Sequence, residues 1–168
     1  MRKITFFRLA LVVLLVNSFI ANAQQDYTIT DFDRLIGDNP TQNRSQQNFN
    51  SQEIENLRNL AFELNPLLFI NENEHKKIGE GAPLLVIVES SQLSQLASLN
   101  NETQSLALIL IKHSSTNSPA TLDLNSLKTS SLKYVLIECD YQCTVPNIQS
   151  MLKNTSKVKV LYRITTDQ

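Results

Sequence analysis

Five short apolar segments downstream of Pro66 constrain the fold of this chain more than any other feature of its sequence. Each holds four to seven residues and is dominated by leucine and β-branched side chains, which favours strands over helices. The segments are 67–70, 84–88, 106–111, 134–137 and 158–164. The last four begin near Leu84, Leu106, Lys133 and Val158, at intervals of 22, 27 and 25 residues. This spacing indicates a strand-and-connection unit that repeats along the chain.

The connections between these segments carry apolar residues at helical spacing. Ser91 suits the cap of a short helix containing Leu93 and Leu96, and Pro146 suits the first turn of another. Three leucines lie at similar spacing in 122–127. Because parallel strands need crossover connections, the pattern predicts an α/β domain with a parallel sheet of about four to five short strands and connecting helices. An open layered sheet is the favoured architecture.

The composition of the strands predicts which of them are covered. The segments 84–88 and 106–111 are apolar at every position, which is typical of strands buried on both faces of a sheet. In 158–164, by contrast, Lys159 and Arg163 alternate with apolar residues. We therefore expect the last segment to be an edge strand, or a strand covered on a single face.

One amphipathic helix is predicted ahead of the first strand. Asn50 and Glu53 have the spacing of a capping box, and Asn65 followed by Pro66 provides a stop. Apolar residues recur at helical spacing between these signals, and they are Ile54, Leu57, Leu60, Ala61 and Leu64. The helix presents one apolar stripe and must pack against another element.

The first 23 residues have the features of a cleavable secretory signal peptide. Positive charges at Arg2, Lys3 and Arg8 precede a continuous apolar run over 9–16, and an A-x-A pattern ends at Ala23. The apolar stretch is about 12 residues, whereas a spanning helix needs about 20, so an uncleaved anchor is the weaker interpretation. We expect cleavage after Ala23 and export to the periplasm or the cell exterior, with no transmembrane anchor afterwards.

Residues 24–50 are predicted to be a flexible polar segment. Residues 41–50 are nearly all Gln, Asn, Ser and Thr, and such a stretch buries too little apolar surface to offset the entropy of ordering. Within the segment, 27–30 could form a short strand and 31–36 a helical turn. The predicted organisation is a signal peptide over 1–23, this segment over 24–50, and a single α/β domain over 51–168.

Charge and glycine content narrow the function classes. The formal net charge of the whole chain is −1, and it becomes −4 when the three basic residues of the signal peptide are removed. A mildly acidic surface argues against nucleic acid or an anionic membrane as a partner. The sequence contains only three glycines, which disfavours phosphate-binding loops. No cofactor is expected.

The only two cysteines, Cys139 and Cys143, are separated by three residues. In an oxidising compartment, the pair favours a single local disulfide. The alternatives are two separate thiols, with one buried at a strand end, or a redox or metal-binding pair. The spacing is not Cys-x-x-Cys, and no further cysteine exists to complete a zinc site.

Residues 90–166 contain a repeating pattern of apolar residues. One unit places Leu132, Val135 and Ile137 at the L-x-x-L-x-L positions, and a similar unit follows over 145–162 with Arg163 at an inward position. A third unit is formed by Leu106, Ile109 and Ile111, and the position of the usual asparagine holds Ser114, Asp140 and Thr166. This pattern resembles that of the leucine-rich repeat proteins. The resemblance implies a solenoid as the alternative fold, and with it a protein-binding role.

Candidate site residues lie where the predicted strands end, because ligands of open parallel sheets bind beyond the carboxyl ends of the strands. Glu89, His113 and Asp140 could converge there as metal ligands, or as a base with its orienting acid. Ser90 or Ser114 could then act as a nucleophile. The alternative is that polar residues end these strands simply because the chain re-enters water.

No motif for catalysis, nucleotide binding or metal binding is present in the sequence. We therefore expect a secreted or periplasmic, non-catalytic module that binds protein or cell-envelope components, with no catalytic residues assigned. The alternative is a small metal-binding protein or hydrolase that uses Glu89, His113 and Asp140.

Overall fold

A seven-stranded, mostly parallel sheet organises the protein in the computed structural model, which describes residues 28–37, 49–99 and 101–165. The predicted signal peptide over 1–23 lies outside the described residues. In chain order the elements are β1 (Ile29–Asp31), α1 (Phe32–Ile36), α2 (Ser51–Phe62), β2 (Leu67–Ile70), β3 (His75–Ile78), β4 (Leu85–Glu89), α3 (Leu93–Leu96), β5 (Leu108–His113), β6 (Leu122–Asp123), β7 (Tyr134–Cys139), α4 (Val145–Met151), β8 (Leu152–Lys153) and β9 (Lys159–Ile164).

The strand order in the sheet is β1-β9-β7-β5-β4-β2-β3, and every neighbouring pair is parallel except β2 with β3. Strands β2, β4, β5, β7 and β9 therefore succeed one another across the sheet in the order of the chain. Strands β6 and β8, which lie in two successive connections, form a separate parallel ribbon. The predicted α/β fold with an open parallel sheet is confirmed.

The connections between the parallel strands from β4 onwards cover one face of the sheet. On this face the strands carry a row of apolar side chains in register, such as Val88, Ile111 and Ile137. The buried side chains of the connections pack against that row, and they are Leu93, Leu96, Leu106, Leu122, Leu124, Leu127, Ile148, Met151 and Leu152.

The N-terminal elements cover the opposite face. The alternate residues of the strands point to this second face, and they include Leu110, Leu136 and Leu161. They pack with Phe32 from α1 and Leu57 from α2. Because both faces are buried, the central strands can be apolar at every position, as the sequence predicts.

Helix α2 begins where the capping-box spacing indicates. The side chain of Asn50 accepts the backbone N–H of Glu53 at 2.9 Å, and the Glu53 carboxylate accepts the backbone N–H of Asn50 at 2.9 Å. The helix ends at Phe62, ahead of the Asn65–Pro66 stop. Leu64, which the periodicity places on the apolar stripe, is therefore outside the helix and fully exposed.

Strand β9 differs from its prediction as an edge or one-face strand. It lies between β7 and β1, and Leu161 on its second face is completely buried. Its two basic side chains are accommodated by ion pairs: Lys159 contacts Glu53 at 2.6 Å and Arg163 contacts Glu138 at 2.5 Å. Long basic side chains can bury their aliphatic stems while their charged ends pair with acidic groups. The alternation with Lys and Arg therefore did not indicate a solvent-exposed face.

The folded unit also begins earlier than residue 51. The short strand and helical turn predicted within the polar segment are present as β1 and α1, and β1 pairs in parallel with β9. Phe32 and Leu35 are buried, as is Phe49 just ahead of α2. These few apolar side chains anchor a segment whose overall composition predicts flexibility, so the described part of 24–50 belongs to the domain.

The connections contain less helix than predicted. In the connection between β4 and β5, four of the described residues are α-helical. Leu122 lies on β6 and Leu124 on a 3₁₀ turn that ends just before Leu127, where a helix was predicted. The helix predicted at Pro146 is present as α4, with the proline in its first turn. No helix among the described residues is long and apolar enough to cross a bilayer.

Phe32→Ala tests whether the N-terminal elements belong to the core. Because Phe32 is completely buried, we expect its truncation to lower the free energy of unfolding by about 3–5 kcal/mol, measured by urea denaturation. Phe62→Ala is the matched control, since Phe62 is 55% exposed and its ring centroid lies 5.9 Å from that of Phe32. Equal, small losses in the two variants would contradict the assignment of α1 to the core.

Candidate functional site

The carboxyl ends of β4, β5, β7 and β9 meet at one edge of the sheet, called here the carboxyl edge. Register pairs Glu89 with Lys112, Lys112 with Glu138, and Glu138 with Arg163. Side chains therefore alternate in charge across four strands on the face that α1 and α2 cover. Opposite charges on neighbouring strands favour this register.

Glu89, His113 and Asp140 all line one open depression of about 250 Å³ at this edge. They do not converge on a common point, however. Glu89 is in register with Lys112, and since side chains alternate along β5, His113 projects from the opposite face of the sheet. Asp140 follows β7, and its carboxylate accepts the backbone N–H of Ser115 at 3.1 Å.

No group of three or more His, Cys, Asp or Glu side chains in the described ranges is arranged to hold a metal ion. This result agrees with the placement of Glu89 and His113 on different faces. The depression is instead lined by separate acidic and basic side chains, including the exposed Lys112. The neutral side chains of Asn117 and Thr165 also line it.

His113 is the centre of a buried hydrogen-bond chain. Its Nδ1 lies 2.9 Å from the hydroxyl of Ser90, and its Nε2 lies 2.8 Å from the hydroxyl of Tyr141. The imidazole is only 5% exposed, and the Tyr141 ring packs edge-on against it with a centroid distance of 5.4 Å. Both ring nitrogens are thus occupied by protein partners.

The environment of His113 favours its neutral form. Burial lowers the pKa of the imidazole, and the nearby charge of Asp140 opposes that effect only in part. A neutral imidazole has one N–H donor and one acceptor nitrogen, which match the two hydroxyl groups beside it. His113 is therefore built into the fold as an uncharged connector between three segments.

The candidate nucleophiles are not exposed beside a free base. Ser90 is completely buried, and its hydroxyl is taken up by His113. Ser114 is half-buried, and its hydroxyl lies 3.0 Å from that of Thr116. An attacking serine must reach both its base and the substrate, and neither serine does so in this arrangement.

Cys139 and Cys143 form a disulfide, with their Cα atoms 6.2 Å apart, so the local pairing predicted from the sequence is confirmed. Cys139 is buried at the end of β7, in register with His113. The loop closed by the disulfide contains Tyr141, so the bridge keeps the Tyr141 hydroxyl close to the imidazole. A bond of this kind persists in oxidising compartments.

Sequence reasoning missed two contributors to the edge, Tyr141 and Lys112. Tyr141 lies between the two cysteines, and this position is the signal that could have placed it beside the end of β5. Lys112 directly precedes His113, and the alternation of side chains along a strand, which places the two on opposite faces, is the signal that could have identified it.

The chain matches no protein-family model, and it matches no curated protein and no solved structure at a significant level.

The pH dependence of stability tests the neutral state of His113. A folded pKa below the unfolded value near 6.5 means that the unfolded chain takes up protons first as pH falls. We therefore expect stability from this group to be fully present above that value and to decline as pH drops from about 7 towards 5.

Urea denaturation of wild type and His113→Gln across that pH range measures this contribution. The expected result is a wild-type free energy of unfolding that falls more steeply with acidification than that of the variant. Parallel pH profiles for the two proteins would contradict the burial of a neutral imidazole.

Proposed function

We propose that this chain acts outside the cytoplasm as a non-catalytic module that binds protein or cell-envelope components. The observation that supports this function is the state of the Ser90–His113 pair. Ser90 and His113, the two groups at the carboxyl edge best suited to chemistry, are buried and hydrogen-bonded to each other, and His113 is also hydrogen-bonded to Tyr141. The exposed side chains at this edge include the charged groups of Lys112 and Asp140, which are available for contact with a partner.

Export is supported by two independent features. The N-terminal pattern of positive residues, apolar run and Ala23 predicts a signal peptide. The Cys139–Cys143 disulfide fits an oxidising compartment such as the periplasm or the cell exterior.

The resemblance to leucine-rich repeat proteins supports a binding role, although the binding surface must differ from that of a solenoid. Successive strands that follow chain order, with the connections from β4 onwards on one face, are a feature of solenoid proteins, which bind partners on extended surfaces. In this protein α1 and α2 cover the second face of the sheet. A partner would therefore use the edges and end loops of the sheet.

Site-specific photocrosslinking in the organism that encodes the protein tests this proposal. A benzophenone amino acid placed at exposed Lys77 samples the sheet edge, and one at Lys112 samples the carboxyl edge. Ser98, exposed on the β4–β5 connection, serves as the control position. We expect a covalent adduct with a protein or envelope component from position 77 or 112 and not from 98. Adducts from neither position, or equally from all three, would contradict a specific binding role.

The alternative, a metal-binding protein or hydrolase that uses Glu89, His113 and Asp140, would require one imidazole nitrogen to leave its hydroxyl partner. Calorimetric titration of the oxidised protein with Zn²⁺ separates the two functions. The proposed module shows no stoichiometric binding. One-to-one binding that His113→Gln abolishes would favour the metal site and overturn the non-catalytic assignment.

A further inference from the structure

We propose that the outer edge of β3 is a docking strand, to which an extended acidic segment of a partner protein adds as a further strand. This inference rests on the proposed binding function and specifies its surface. Within the part of the chain that the structure describes, β3 pairs only with β2, and all four of its side chains are exposed. Exposed edges of this kind are templates for strand addition.

Hydrogen-bond alternation identifies the backbone groups that the edge offers. At the hairpin, the backbone N–H of Asn71 donates to the carbonyl of Glu74 at 3.0 Å, which makes this a hydrogen-bonded pair. Because antiparallel pairs alternate, Lys76 and Ile78 bond to β2, whereas the N–H and C=O of His75 and Lys77 point outward. Two donors and two acceptors are therefore presented at the spacing of a strand.

The opposite edge of the sheet is less suited to the same use. Strand β1 has only three residues and continues directly into α1, so it offers a shorter ladder. Its central residue, Thr30, is buried, whereas the β3 edge is exposed throughout.

The two lysines on β3, Lys76 and Lys77, determine which charge on a pairing strand is favoured. Antiparallel two-fold pairing through the outward backbone groups of two β3 strands, centred on Lys76 or on Lys77, would place that lysine opposite its own copy. Like charges directly opposite one another are destabilising, and lysines on edge strands commonly block self-pairing. A second copy of this chain is thus disfavoured, whereas acidic side chains on an added strand would be attracted.

Because of the charges around these side chains, Lys77 offers an acidic partner a stronger contact than Lys76 or His75 does. Lys76 lies 3.8 Å from Glu74, and His75 lies 3.3 Å from Glu102, so both have acidic neighbours already. Those pairs are exposed and weak, and no ion pair involves Lys77 among the described residues. At the end of the strand, Ile78 is 46% exposed and offers an apolar contact. The favoured occupant is an extended segment that combines acidic and apolar residues.

Fluorescence anisotropy with a seven-residue peptide of alternating Glu and Val tests this inference on the oxidised protein lacking residues 1–23. A matched peptide with Lys in place of Glu controls for charge. Lys77→Pro removes one outward N–H while leaving the bonds between β2 and β3 intact, because proline is tolerated at such edge positions. Lys77→Glu keeps the backbone and reverses the charge. Lys128→Glu is the control, since it changes the net charge equally at an exposed site on another connection.

We expect the acidic peptide to bind wild type, with affinity at least tenfold lower for Lys77→Pro and Lys77→Glu and unchanged for Lys128→Glu. The Lys peptide should bind wild type more weakly and gain affinity for Lys77→Glu. Circular dichroism melting controls for folding of both Lys77 variants.

Absence of binding to wild type would overturn the inference, as would equal affinity for folded Lys77→Pro or an equal loss in Lys128→Glu. A photocrosslinked partner from position 112 alone would refute the β3 edge while leaving the binding function intact. Failure at every position would refute both.

Discussion

Burial of both faces of the parallel sheet is the constraint on which the rest of this structure depends. Over 108–111 on β5 and 134–137 on β7 the side chains are buried on both faces, so neither face can remain in water. The connections shield one face, and the second must be covered by something else. That cover is α1 and α2, and the ion pair of Glu53 with Lys159, together with the Tyr134 hydroxyl on the Glu53 carbonyl, fixes α2 across β7 and β9.

Much of this arrangement could be predicted from local pattern. Apolar runs of strand length, the Asn50–Glu53 capping box and Pro146 each act within a few residues, so the sequence indicated the parallel strands, α2 and α4. The prediction that failed for β9 depends on distant partners. Lys159 and Arg163 are compatible with a covered strand only because Glu53 and Glu138 meet them, and no local signal reports such pairs.

In the candidate site, too, local patterns could be predicted from the sequence, whereas contacts between distant residues could not. Strand-end positions predicted that Glu89, His113 and Asp140 would share an edge, and they line one depression. Their roles depend on contacts that the linear pattern does not contain: the Ser90 and Tyr141 hydroxyls on either side of the imidazole, and the disulfide that holds Tyr141 near it. Strand β3 was missed because its charged residues resemble a loop, although this charge is what an exposed edge requires.

Pairing of β1 with β9 has a consequence for the order in which the sheet can form. Among the described strands, the earliest has its place in the sheet only beside the latest one, so the sheet cannot be completed until β9 has formed. Contacts this distant in sequence slow folding, because loop closure must precede them. Strands β2, β4, β5 and β7 can pair in the order of the chain, whereas β1 must wait for the last strand before it can join the sheet.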